Sequence, residues 1–240
     1  MIATTPVVVK KTRSSISLPI KVESTVKEWL KKYSKITEAA KKRGLNESDT
    51  SNIVNDMLGE VFGFDKFFDV TTEYKIRGQY ADYGVKIEDK LIFLIEIKAI
   101  CVPLNENHIF QAASYASTEG VEWVVLTNLE EWRIYHLSFG SRIDQELVVQ
   151  FNLIEEGKSV KIFDKASCLH KEGIKKGLLK KLWTNKVALS EWNLKKVLFG
   201  KSIVNSIRRE LSKITGVKIG ENDVTDLLTK LFETKNSCSK

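Results

Sequence analysis

Asp82, Glu96 and Lys98 are the residues in this chain whose types and spacing best fit chemistry. The segment ending at Lys98 reads LIFLIEIK, apolar enough for a central strand, yet Glu96 falls near its end. A carboxylate placed there loses water, which is costly unless a cation or a donor compensates it. Side chains alternate along a strand, so Glu96 and Lys98 share one face and Ile97 takes the other. The preceding strand-like run, Tyr80 to Ile87, connects to it through Glu88-Asp89-Lys90. A hairpin centred on Asp89 sets Asp82 directly across from Glu96, with Cβ atoms about 5 Å apart on one face. Two carboxylates so close repel, and one is pushed toward a raised pKa. A divalent cation removes the conflict. Hard oxygen ligands of this kind suit Mg²⁺, with Mn²⁺ as its substitute, bound by one or two carboxylates plus phosphate oxygens. A lysine beside them can orient or deprotonate an attacking water and offset charge building on a phosphate. The competing interpretation is a structural ion pair between Glu96 and Lys98.

A sheet must hold these groups, and the surrounding pattern supplies one. Val70 to Arg77, Tyr80 to Ile87 and Leu91 to Lys98 read as three strands separated by turn residues. Asn107 to Ser117 suits a helix entered after Pro103 and ended by Gly120, and Trp123 to Thr127 and Trp132 to Leu137 read as two more strands. Glu146 to Leu153 is a candidate edge strand. Helices are expected over 23–43 and from Ser48 or Asp49 to Gly63, and then over 167–183, 189–213 and 221–234, with breaks around Asn185, Gly200 and Gly216. Strands, a crossover helix and further strands indicate a mixed α/β core. The expected organisation is an N-terminal tail and helix over 1–47, a core over 48–156 and a basic helical extension over 157–240.

An aspartate followed at thirteen residues' remove by E-x-K on a hydrophobic strand resembles the PD-(D/E)xK nuclease superfamily. The run EIKAICVPLNENHIFQAASY, followed by VEWVVLTNLEEWRIYHL, is similar to the N-terminal nuclease domain of type I restriction enzyme R subunits and their stand-alone relatives. The Q-x-x-x-Y helix motif of that branch is present as Gln111 to Tyr115. The resemblance covers roughly residues 48–140. It implies a restriction-endonuclease-like core, with Asp82, Glu96 and the Ile97 carbonyl holding Mg²⁺ and Lys98 as the catalytic lysine. It also implies that Gln111 and Tyr115 face the site and hold DNA, and that a first-helix carboxylate joins in, for which Glu60 is the candidate. R subunits continue into an ATP-driven translocase. Here the one phosphate-loop fragment, Gly200-Lys201-Ser202, has Lys195 where the partner glycine belongs, so the pattern fails. Any ATP-driven step is expected to come from another protein or to be absent.

Charge is unevenly spread. Residues 157–240 hold 19 Lys/Arg and 8 Asp/Glu, a net +11, whereas residues 1–156 carry a net −4. Lys175, Lys176, Lys180, Lys181, Arg208 and Arg209 are therefore expected to form an electrostatic wall for DNA, reading phosphates rather than bases. A merely solvated lysine-rich scaffold is the alternative. The last helix, with Val224, Leu227, Leu228, Leu231 and Phe232, is a candidate for a partner subunit or a homodimer. Cys101, Cys168 and Cys238 have neither zinc nor disulfide spacing. The N-terminal apolar run is too short for a secretion signal, and no stretch is apolar enough to span a membrane. A cytoplasmic setting is expected. The leading expectation is a Mg²⁺-dependent DNA endonuclease, restriction-like or part of a larger defence complex. The alternatives are a non-catalytic nucleic-acid-binding or assembly module, and a repair or recombination nuclease acting on branched DNA.

Overall fold

A computed structural model of the chain describes residues 18–76, 79–157 and 159–233. The segment expected as an N-terminal tail lies outside them. The chain divides into two units, Met1–Leu182 and Trp183–Lys240.

In the first unit, α1 (Ile20–Arg43) buries Val26, Leu30, Tyr33, Thr37 and Ala40, a spacing that keeps one stripe against the core. It ends at Gly44, whose φ of 63° is the left-handed conformation that glycine takes without strain. Asn46 then caps α2 (Glu47–Glu60), its side chain accepting the Asp49 N–H. Strands follow as β1 (Val70–Ile76), β2 (Gln79–Ile87) and β3 (Lys90–Ile97). Helix α3 (Glu106–Glu119) crosses to β4 (Trp123–Thr127), which is followed by β5 (Glu131–Phe139) and β6 (Ile143–Asn152). The strands lie in sequence order in one sheet. β3 and β4 are parallel, as a helical crossover requires, and the other neighbours are antiparallel. The result is the mixed α/β sheet flanked by helices that the pattern implied.

Alternation divides the buried side chains between two faces. Tyr83, Val85, Phe93, Ile95 and Ile97 pack with α1 and α2, whereas Ala81, Leu94, Val124 and Leu126 pack with Ile109, Ala112, Ala113, Tyr115 and Ala116 of α3. The first core continues past the expected boundary at 156. After α4 (Leu153–Glu156), Ile162, Phe163 and Ala166 of α5 (Val160–Ala166) join it, as do Cys168 and Leu169. Then come α6 (Lys171–Lys175) and α7 (Leu178–Ala188). The expected 167–183 helix is split by Gly177 at φ 74°, and α7 runs through Asn185, where a break was expected. The unit boundary thus falls inside α7, because apolar residues from 162 to 179 are core and not extension. By the same logic α1 belongs to the core rather than to a separate N-terminal segment.

The second unit contains α8 (Glu191–Leu198), α9 (Lys201–Thr215) and α10 (Glu221–Glu233). Gly200 separates α8 from α9 inside the expected 189–213 helix. Phe199 and Phe232 meet at 6.2 Å, and Val204 and Val224 are buried. Among the described residues no helix is long and apolar enough to cross a membrane.

Candidate active site

The β2–β3 hairpin decides which groups meet. Its turn is two residues, Glu88 and Asp89, at φ 54° and 62°, the conformation of a tight primed turn. Lys90 is already in β3, so pairing begins as Ile87↔Lys90 and Lys86↔Leu91, one step out of the register expected from a turn centred on Asp89. A bulge then leaves Ile92 unopposed, and pairing resumes as Val85↔Phe93, Gly84↔Leu94 and Tyr83↔Ile95. The paired residues end there; continued by one position, the same register sets Asp82 opposite Glu96. The bulge restores at the site the register that the shorter turn had displaced.

The contacts agree with that placement. Ile97 N–H donates to Asp82 Oδ2 at 2.6 Å, and Lys98 Nζ lies 2.6 Å from Glu96 Oε1. Two further carboxylates surround the group. Glu47, the first residue of α2, lies 3.9 Å from Lys98 Nζ. On β1, Glu73 falls between Thr72, paired with Tyr83, and Tyr74, paired with Ala81, and its charge acts on Asp82. Glu73 has φ 46°, a left-handed conformation costly for a residue with a Cβ. An open cleft of ≈ 510 Å³ is lined by Glu47, Ser48, Ser51, Asn52, Thr72, Glu73, Asp82 and Tyr83.

This cluster is rich in negative charge. Burial raises the Asp82 carboxyl above its usual range, against the pull of the Ile97 N–H and Lys98, and Glu47 and Glu73 add to the rise. Burial likewise raises Glu96, which is only 4% exposed; Lys98 opposes the shift and Asp82 reinforces it. Burial pulls the Lys98 ammonium down, but its bond to Glu96 and the carboxylates around it outweigh that effect and hold it above the ordinary value. Lys98 is therefore a fixed positive charge here. His108, near the start of α3, is lowered by partial burial and by Lys98.

Asp82, Glu96, Ile97 and Lys98 thus converge, whereas Glu60 and Tyr115 stand elsewhere or differently. Glu60 accepts the Tyr33 hydroxyl at 2.8 Å and lies 3.6 Å from Lys32, at the opposite end of α2 from the site. The helix carboxylate beside Lys98 is Glu47 instead. Tyr115 of α3 is 6% exposed and packs in the core beneath that helix. Gln111 is in α3, but its side chain lies outside the described residues. Lys175 pairs with Glu88 at 3.1 Å, and Lys176, Lys180 and Lys181 also have interactions of their own. In the second unit Arg208 is half-buried, and Arg209 folds back to Asn205 O at 3.3 Å.

The donors fit a hard cation: oxygen ligands, desolvated carboxylates and one lysine as their only close cation among the described residues. Among the described residues no three His, Cys, Asp or Glu side chains converge closely enough to enclose a metal. Comparison with protein-family models, with curated proteins and with solved structures finds no match to this chain.

Proposed function

We propose that this protein is a Mg²⁺-dependent endonuclease that hydrolyses DNA phosphodiester bonds on a restriction-endonuclease-like core. The observation that carries the reading is Asp82 opposed to Glu96, with Lys98 bonded to Glu96. Asp82, Glu96 and the Ile97 carbonyl would hold the ion, and Mn²⁺ would replace it. When bound, the ion supplies polarisation of the phosphate and a lowered pKa for an attacking water. Lys98 supplies positive charge where negative charge develops on the phosphoryl oxygens. The proposal extends to a restriction-like or defence role, alone or within a larger complex.

Metal-dependent nicking of plasmid and branched DNA tests the reading. Wild type should nick with Mg²⁺ or Mn²⁺ and stop when a chelator is added. Asp82→Asn keeps an acceptor for the Ile97 N–H while removing the charge, and should be silent. Preference for the branched substrate would make the protein a repair or recombination nuclease with the same chemistry.

The Lys98–Glu96 bond would also serve as a structural ion pair, and on that account the second reading is a non-catalytic DNA-binding or assembly module. Equal residual cleavage by wild type and Asp82→Asn would identify a contaminant and leave that reading standing.

Glu47 and Glu60 separate the two ends of α2. Glu47→Gln should lower turnover by about tenfold, because one of the charges that orient Lys98 is lost. Glu60→Ala should leave turnover unchanged and cost about 1 kcal/mol by removing the acceptor of the Tyr33 hydroxyl. Steady-state kinetics and urea unfolding of both variants check the pair. The opposite pattern would return the role to Glu60.

A further inference from the structure

Outside the site, the solvent face of α1 carries concentrated positive charge. The helix holds eight Lys/Arg against three Glu. Its buried stripe fixes which side meets water, and Lys31, Lys35 and Lys42 fall within about 40° of one another on the exposed side. Lysines at the edges of this crest are paired: Lys27 with Glu23, Lys32 with Glu60 and Lys41 with Glu130. Lys31, Lys35, Lys42 and Arg43 make no ion pair among the described residues, with Glu28 and Glu38 beside them as the neighbouring acids.

The crest leads to the site. Three residues separate Arg43 from Glu47, which approaches Lys98. Cys101 Sγ donates to Lys41 O at 3.8 Å, and Ile100 N–H donates to Thr50 Oγ1 at 3.2 Å. The last turn of α1 and the first turn of α2 are thereby fastened to the segment that follows Lys98. The site itself needs such a neighbour. Its four carboxylates and one lysine repel a polyanion, so attraction for the substrate must come from beside it.

We infer that the α1 crest is the track along which the phosphate backbone of duplex DNA runs to Lys98; this rests on the nuclease reading above. Lys31 to Lys42 spans about 16 Å, the rise of roughly five phosphates along one strand of a duplex. Duplex is favoured over single strand because the crest offers no aromatic platform for unstacked bases. Trp29 lies away from the crest, packed half-buried against the core with Lys32 Nζ 4.0 Å over its ring.

Fluorescence anisotropy with a short duplex, in Ca²⁺ and across a salt series, tests the assignment. The full-length variant Lys31→Gln/Lys35→Gln/Lys42→Gln should melt like wild type and lose about 2.7 from the slope of log K against log salt. Its affinity should fall on the order of 10²-fold at low salt. A charge-matched control, Lys90→Gln/Lys161→Gln/Lys218→Gln, changes exposed lysines elsewhere and should keep the wild-type slope. A wild-type protein that nicks DNA while the α1 variant keeps its slope overturns the track alone. An equal loss of slope in the control also overturns it, because net charge would then suffice. A wild type that neither binds nor nicks overturns both the track and the nuclease reading.

Discussion

Lys98→Ala should reduce turnover by about 10²–10³-fold while leaving DNA affinity nearly unchanged, the cost of removing one preorganised positive group from a reacting centre. The ammonium is positioned by its 2.6 Å bond to Glu96 and kept protonated by the carboxylates around it. On the nuclease reading proposed above, its contribution would belong to the transition state, so the loss should appear in kcat and kcat/KM alike. A second effect accompanies it. Glu96 is 4% exposed and depends on Lys98 for compensation, so metal-free Lys98→Ala should also unfold earlier than wild type. Single-turnover cleavage and metal-free thermal melts measure the two effects. Full turnover in the variant would reduce the lysine to a structural partner of Glu96 and remove it from the chemistry.

Trp132→Ala should cost about 3–5 kcal/mol, the largest loss expected from any single core truncation in the sheet unit. The indole is fully buried, stacks on Phe151 at 5.9 Å, and meets Phe62 edge-on at 5.4 Å. Its Nε1–H donates to Leu129 O at 2.9 Å, fastening the turn between β4 and β5, where Leu129 takes φ 72°. Truncation leaves both a cavity and an unsatisfied carbonyl. Trp132→Phe keeps the ring stacking and loses the donor, so it should cost about 1–3 kcal/mol. Urea unfolding of both variants gives the comparison. Equal losses would assign the whole effect to the hydrogen bond, and a negligible loss for Trp132→Ala would mean that the neighbours close over the space.

Much of the sheet was legible because period-two patterns bounded by turn residues survive in its context. The Asp82–Glu96 pairing was legible for a reason that was only half right. A turn centred on Asp89 and the two-residue turn with a bulge at Ile92 both end in the same register at the site. Nothing in LIFLIEI marks Ile92 as the extra residue, because both faces of β3 are apolar. Glu47 was missed because the motif drew attention to the far end of α2. A usable signal was present. A helix joined to the next strand by a short loop doubles back along it, so the start of α2, not its end, lies level with the middle of β1. Asn46 followed by Glu47 announces that start. The C-terminal boundary was misplaced because lysines between 158 and 181 suggested an extension, whereas Ile162, Phe163, Leu169 and Leu179 among them were core. Charge described the surface of that segment and said nothing of its buried side.

Glu73 has a consequence for how this protein would age under mutation. At φ 46° a glycine would be more comfortable, since only a residue without a Cβ enters that region freely. Holding a glutamate there costs on the order of 1 kcal/mol, about the size of an average single-mutation effect. So long as its carboxylate is needed beside Asp82, selection opposes the change to glycine. Once it is not, the same change is a gain in stability and drift should fix it early. A lineage that abandoned this site would lose its signature first at Glu73, while Glu96 and Lys98, locked together in the sheet, would persist as fossils of it.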